Sequence, residues 1–128
     1  MKIQLRLPLG RTLTFNEYRN TYYRKLNKDK RDFSDLIIRE LKKIKAKPLI
    51  APLTIEYIYH YRDKRRRDID CNYPLQKYLK DSLIEYGIIE DDNIKLINRE
   101  FTFVEDTSQE PEFERGYVDV EIYTSKKR

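Results

Sequence analysis

The chain reads as a single α+β domain of order β-α-β-α-β-β, with helices packed on a mixed or antiparallel sheet. Three observations predict it. Leu53, Ile55, Tyr57, Tyr59 and Tyr61 alternate with Thr54, Glu56, Ile58 and His60, the period of a strand with one buried face. Leu75, Leu79, Ser82, Leu83 and Tyr86 recur at helical spacing between Pro74, which suits a first turn, and Gly87, which suits a C-terminal stop. Finally, 128 residues with 39% hydrophobic content suffice for one core and hardly for two, so residues 1–128 are expected to form one domain.

The remaining elements follow in order. Ile3, Leu5 and Leu7 share one face of a first strand that Pro8-Leu9-Gly10 closes. Phe15, Tyr18, Tyr22 and Leu26 form one helical stripe, and Phe33, Ile37, Leu41 and Ile44 another. Asn27-Lys28-Asp29-Lys30 weakens the join, so one bent helix and two helices are both compatible with the pattern. Ser34 has the chemistry of an N-cap for the second segment, and Asp35 suits its positive end. Pro48 and Pro52 end the helical pattern. Ile94 to Val104 and Tyr117 to Tyr123 read as two further strands, separated by an acidic loop expected to be mobile. Ile84 lies opposite the core stripe of its helix, a slight hint of a subunit contact.

Composition bounds the function. With 38% of residues charged and a net charge of +5, from 27 Lys plus Arg against 22 Asp plus Glu, the surface carries both signs with a modest bias towards a polyanion partner. No apolar run approaches the roughly 20 residues of a membrane span. The alternating N-terminus lacks a signal-peptide core, and a single cysteine, Cys71, fits a reducing compartment, so a cytoplasmic protein with no membrane partner is expected.

The chemistry concentrates in Lys64-Arg65-Arg66-Arg67-Asp68-Ile69-Asp70. In extended backbone Asp68 and Asp70 project to the same side. Like charges held that close need a counter-charge, and Mg²⁺, which prefers hard oxygen ligands, is a suitable one. Asp91 and Asp92 follow the helix stop at Gly87, and a chain that folds back there brings one of them in as a third carboxylate. Such a site leaves metal positions open to water and to a phosphate oxygen. Lys64, Arg65, Arg66 and Arg67 would grip DNA phosphates on either side of the scissile bond. Lys77 lies roughly 160 to 180° around the helix from Leu75 and Leu79, off the core face and able to reach towards a phosphate. Each signal also has a plain structural reading: an Arg-Asp cluster is commonly a solvated salt-bridge network, and Asp-Asp-Asn is ordinary turn chemistry. His60, in a strand among tyrosines, suits a structural or DNA-surface role better than metal ligation, and Cys71 has no zinc-like partner spacing.

From Arg65 to Asp92 the sequence resembles the RusA-type Holliday-junction resolvases of bacteria, bacteriophages and prophages. That family has an Asp-x-Asp-Asn element preceded by basic residues, a helix with an early lysine, and a closing Asp-Asp pair. Arg66-Arg67-Asp68-Ile69-Asp70, then Leu75-Gln76-Lys77 with Asp81, Leu83 and Gly87, then Asp91-Asp92 stand in those places. The resemblance implies a RusA-like fold and a homodimeric endonuclease that nicks four-way DNA junctions with Mg²⁺, for which Mn²⁺ can substitute. It implies Asp68, Asp70 and Asp92 as metal ligands and Lys77 as the essential lysine. The sequence departs from the family where Cys71 occupies the Asn position, with Asn72 next, and where Cys71 to Pro74 inserts a few residues before the helix. Two alternatives remain beside it: a related nuclease for flaps or other branched DNA, and a non-catalytic nucleic-acid-binding module.

Overall fold

The computed structural model describes residues 2–9, 23–61, 73–105 and 116–125, with the backbone only for 23–26. They form strands β1 (Lys2–Pro8), β2 (Leu53–Tyr61), β3 (Ile97–Glu105) and β4 (Gly116–Thr124), and helices α1 (Tyr23–Lys43) and α2 (Tyr73–Tyr86). The order β-α-β-α-β-β is the one expected. The stripe from Phe15 to Leu26, the loop between β3 and β4 and the segment 62–72 lie outside the described residues or side chains.

The sheet is mixed, in the order β1-β4-β2-β3. β4 runs antiparallel to both β1 and β2, while β2 and β3 are parallel and joined by the crossover that contains α2. A parallel pair requires such a crossover because the chain must return to the starting end of the sheet. One face of the sheet is almost wholly apolar: Ile3, Leu5 and Leu7 from β1, Val118, Val120 and Ile122 from β4, and Leu53, Ile55, Tyr57 and Tyr59 from β2. Both helices contribute to the same core, α1 through Phe33, Ile37 and Leu41 and α2 through Leu75, Tyr78, Leu79 and Leu83. These are fully or nearly fully buried side chains, and each aliphatic one stabilises the fold by roughly 1.5–3 kcal/mol. Register places Lys2, Gln4, Arg6, Tyr117, Asp119, Glu121, Glu56, Ile58, His60, Arg99, Phe101, Phe103 and Glu105 on the opposite face, away from that core.

Three expectations need correction. Ser34 is not an N-cap: α1 runs unbroken through Asn27-Lys28-Asp29-Lys30 and Ser34 is buried at mid-helix. Its hydroxyl donates to Glu85 Oε2 at 3.1 Å, and one turn earlier Lys30 pairs with Asp81 Oδ2 at 3.0 Å. Lys30 and Ser34 therefore face α2 at the same one-turn spacing as Asp81 and Glu85, and this pairing between helices outweighs the capping tendency of an isolated serine. Ile94 is 86% exposed and precedes β3, because Asn93 holds a turn there instead. Ile84 packs against the core, so it offers no hint of a subunit contact.

Both helices end in the same way. Beyond α2, Gly87 N–H donates to the Ile84 carbonyl (3.0 Å) and Ile88 N–H to the Leu83 carbonyl (2.9 Å), a Schellman stop with φ of 93° at Gly87. Beyond α1, Lys45 N–H donates to Lys42 (3.1 Å) and Ala46 N–H to Leu41 (3.0 Å), but here a lysine holds the left-handed position at φ 52°. A side chain in that region is disfavoured by about 1 kcal/mol relative to glycine. Lys45→Gly is therefore expected to raise the unfolding free energy by about that amount, and Gly87→Ala to lower it similarly through backbone strain, since nothing lies within 4 Å of the added Cβ. Urea unfolding midpoints with an unchanged slope would read both effects.

Candidate functional site

The segment richest in chemical groups connects β2 to α2. Lys64, Arg65, Arg66, Arg67, Asp68 and Asp70 all lie between residues 62 and 72, outside the described residues; its two anchors, Tyr61 and Tyr73, are described. Tyr61 ends β2 at the carboxyl end of the parallel β2-β3 pair, and Tyr73 opens α2. That is the end of a βαβ unit where helix N-terminal N–H groups are available to anions. The first turn of α2 contains no acidic side chain to offset its positive pole.

Lys77 stands one turn into α2. Its side chain is 39% exposed and its ammonium lies 3.8 Å from Asp81 Oδ2, an i,i+4 pair whose carboxylate is already engaged by Lys30. The helical angle read from sequence is therefore correct: Lys77 is off the core face. Its neighbour Gln76 turns towards the sheet, where its amide donates to Tyr59 Oη and to Thr102 Oγ1, both at 3.1 Å. One turn further along, Lys80 pairs with Glu100 at 3.2 Å, and Glu100 accepts from the Tyr57 hydroxyl at 3.2 Å. Burial, reinforced by the Glu100 charge, pushes the Tyr57 phenol well above its ordinary range, so Tyr57 stays a neutral donor. These paired contacts fix the helix's height and rotation over β2 and β3, and so the direction in which Lys77 projects. Gln76 entered the sequence reading only within Leu75-Gln76-Lys77 of the family pattern, and these contacts stayed hidden because its partners are distant in the chain.

Asp91 and Asp92 occupy the other end of α2. Asp91 Oδ1 accepts from the Asp92 N–H at 2.7 Å, and Asn93 Oδ1 accepts from the N–H groups of Lys95 (2.9 Å) and Leu96 (3.2 Å). Leu96 and Ile97 N–H also donate to the Asn93 carbonyl, closing a helical turn that launches β3. The Leu96 carbonyl then accepts from Leu53 N–H at 2.7 Å, fixing this turn beside the first residue of β2. Asp92 is exposed there. α2 has 14 residues, about 20 Å of helix, so Lys77 and Asp92 are not brought together along it. Among the described residues no group of three His, Cys, Asp or Glu side chains is arranged to hold a metal, and Asp92 is the one described member of the predicted ligand set.

A polar cluster that sequence did not anticipate lies on the opposite face of the sheet. Arg6 makes two bonds to Asp119 (Nε to Oδ1, 2.8 Å; Nη2 to Oδ2, 3.2 Å) and lies 4.3 Å over the Tyr117 ring, which stacks on His60 at 4.4 Å. His60 Nε2 is 3.5 Å from Asp119 Oδ2. The structural role expected for His60 fits this stack, which ties β1, β4 and β2 together. The cluster could have been found only by knowing that β4 lies between the other two.

No helix among the described residues is long and apolar enough to cross a membrane. The chain matches no protein-family model and no curated protein.

The geometry separates residues that hold the fold from residues free for chemistry. Lys77→Ala and Asp92→Ala are each expected to change the unfolding free energy by less than about 0.5 kcal/mol, because exposed side chains contribute little. Asn93→Ala is expected to cost about 1 kcal/mol, as two backbone N–H groups lose their acceptor. Chemical denaturation of the three variants in parallel would check the contrast.

Proposed function

We infer that the chain is a Mg²⁺-dependent, structure-selective endodeoxyribonuclease of RusA-like fold that nicks four-way DNA junctions as a homodimer. The observation that carries this reading is the attachment of the Lys64–Asp70 segment: it leaves the carboxyl end of β2 and enters an α2 first turn free of acidic side chains, with Lys77 half-exposed one turn on. In this reading Lys64, Arg65, Arg66 and Arg67 hold the phosphodiester backbone, and the α2 N-terminus and Lys77 attract the phosphate to be cut. A metal held by Asp68 and Asp70, with Asp92 the third ligand that the resemblance implies, would supply an activated water and stabilise charge on the phosphate. Asp70 stands three residues before Tyr73, a reach of about 10 Å, whereas α2 carries the chain about 20 Å away before Asp92. The turn that holds Asp92 stands beside Leu53, at the other end of β2 from Tyr61, so its place in the set rests on the resemblance alone.

A second reading has its own support: the side-chain-capped turn from Asp91 to Leu96 is sufficient reason for an Asp-Asp-Asn sequence, as in a nucleic-acid-binding module without catalysis. Cleavage separates the two. With Mg²⁺ or Mn²⁺, the protein is expected to nick a four-way junction in preference to flap and duplex substrates; a flap preference would redirect the reading to other branched DNA. Asp70→Asn is expected to abolish nicking while junction binding is kept or strengthened, because a repelling carboxylate is lost. Asp92→Asn, assayed beside it, is expected to lose less. Wild-type protein that binds but never cuts any branched substrate would leave the binding module standing and end the nuclease reading.

A further inference from the structure

β3 is the outer strand of the sheet, bonded to β2 on one side and with no strand beyond it among the described residues. Sheet edges that resist pairing carry Lys, Pro or charged residues directed to block a partner. The opposite edge, β1, is of that kind, with Lys2, Arg6 and Pro8 along it. β3 is not. It exposes Phe101 (44%) and Phe103 (45%) side by side on the open face of the sheet, ring centroids 6.4 Å apart, and Val104 (65%) on the other face. Exposed aromatics on an unpaired edge make a template for another strand.

The sequence of β3 says which strand fits. Placed antiparallel to itself about a two-fold axis at Thr102, β3 sets Phe101 opposite Phe103, Arg99 opposite Glu105 and Thr102 opposite its own copy. Every open-face residue from Arg99 to Glu105 then meets a complementary one, ring against ring and cation against carboxylate, the pairs that stabilise antiparallel ladders. Other registers lose this. An axis at Glu100 sets two glutamates face to face, and an axis at Phe103 sets Phe101 against Glu105. A two-fold contact also requires a self-complementary surface, which this register provides.

We propose that β3 is the surface through which two copies of this chain associate, antiparallel about Thr102, so that one continuous sheet runs through the pair. Among the described strands the blunted β1 edges are then the outermost on both sides. The proposal rests on strand order and residue register; it names the surface of the homodimer in the proposed function, and because no residue of the segment 62–72 enters it, its test on β3 is separate from the cleavage test.

Sedimentation equilibrium of the full chain tests it. Wild type is expected at the mass of two chains. Phe101→Lys with Phe103→Lys, and separately Phe101→Glu with Phe103→Glu, are each expected at half that mass, with unchanged circular dichroism because both rings are already solvent-exposed. An equimolar mixture of these two variants is expected to regain the doubled mass and to lose it in high salt, since position 101 of one chain faces position 103 of the other. A single-chain mass for wild type, a lysine variant that stays paired, or a mixture that stays single would each overturn the proposal. Should either variant fail to fold, amide exchange on wild type decides: protection confined to β3 that disappears on dilution supports the pairing, and concentration-independent exchange along β3 refutes it.

Discussion

The parallel pairing of β2 with β3 is the constraint from which the rest of the molecule follows. Two neighbouring strands that run the same way force the chain between them to travel back along the whole sheet, and α2 makes that return journey. Its first turn must therefore sit at the carboxyl end of β2, and its stop at Gly87 must lie near the amino end of β3. Everything chemical in the sequence is distributed by this one requirement. The Arg- and Asp-rich segment attaches at one end of the helix, and the Asp91–Asn93 turn attaches at the other. The apolar face of α2 is committed to the core, which leaves Lys77 off that face, beside Asp81.

The helix is held in this position by polar contacts as much as by apolar ones. Tyr57 and Tyr59 present their rings to the core and their hydroxyls to its border, where Glu100 and Gln76 meet them. A buried phenol without such a partner would cost about 1–3 kcal/mol, so each of these contacts favours one rotation of α2 over its alternatives. Hydrophobic burial brings helix and sheet together without preference for angle. The tyrosine hydroxyls, with Lys80 and Thr102, supply direction. Ser34 with Glu85 and Lys30 with Asp81 do the same between the helices, and all of these partners are far apart in sequence.

That distance explains what could be read from the chain and what could not. The limits of β2 were legible because alternation is strict between Pro52 and the basic run, and the end of α2 because glycine marks its left-handed position. The end of α1 carried no such mark, as Lys45 takes the glycine's role. Ser34 was misleading for a related reason: its capping chemistry is local, while its actual partner lies on another helix. Strand order was not legible either, so the Arg6-Asp119-His60-Tyr117 cluster went unanticipated. Of the candidate site, the outward orientation of Lys77 followed from helical angle alone. The turn chemistry of Asp91 to Asn93 was recognised as an alternative, and the structure realises it. Where Asp92 stands relative to Asp68 and Asp70 depends on the crossover, which period and composition do not encode.

The place of β4 has a consequence for how the molecule comes into being. β1 and β2 are made before the other described strands, yet neither touches the other; β4, the latest of the described strands, must slide between them, setting Lys2 opposite Tyr123 and Leu53 opposite Thr124. Until β4 is made, β1 has no hydrogen-bonding neighbour among the described strands. Pairings between strands this remote in sequence form slowly. In a nascent chain the β2-α2-β3 unit can therefore be complete while Ile3, Leu5 and Leu7 still lack the β4 partners that cover their strand in the fold.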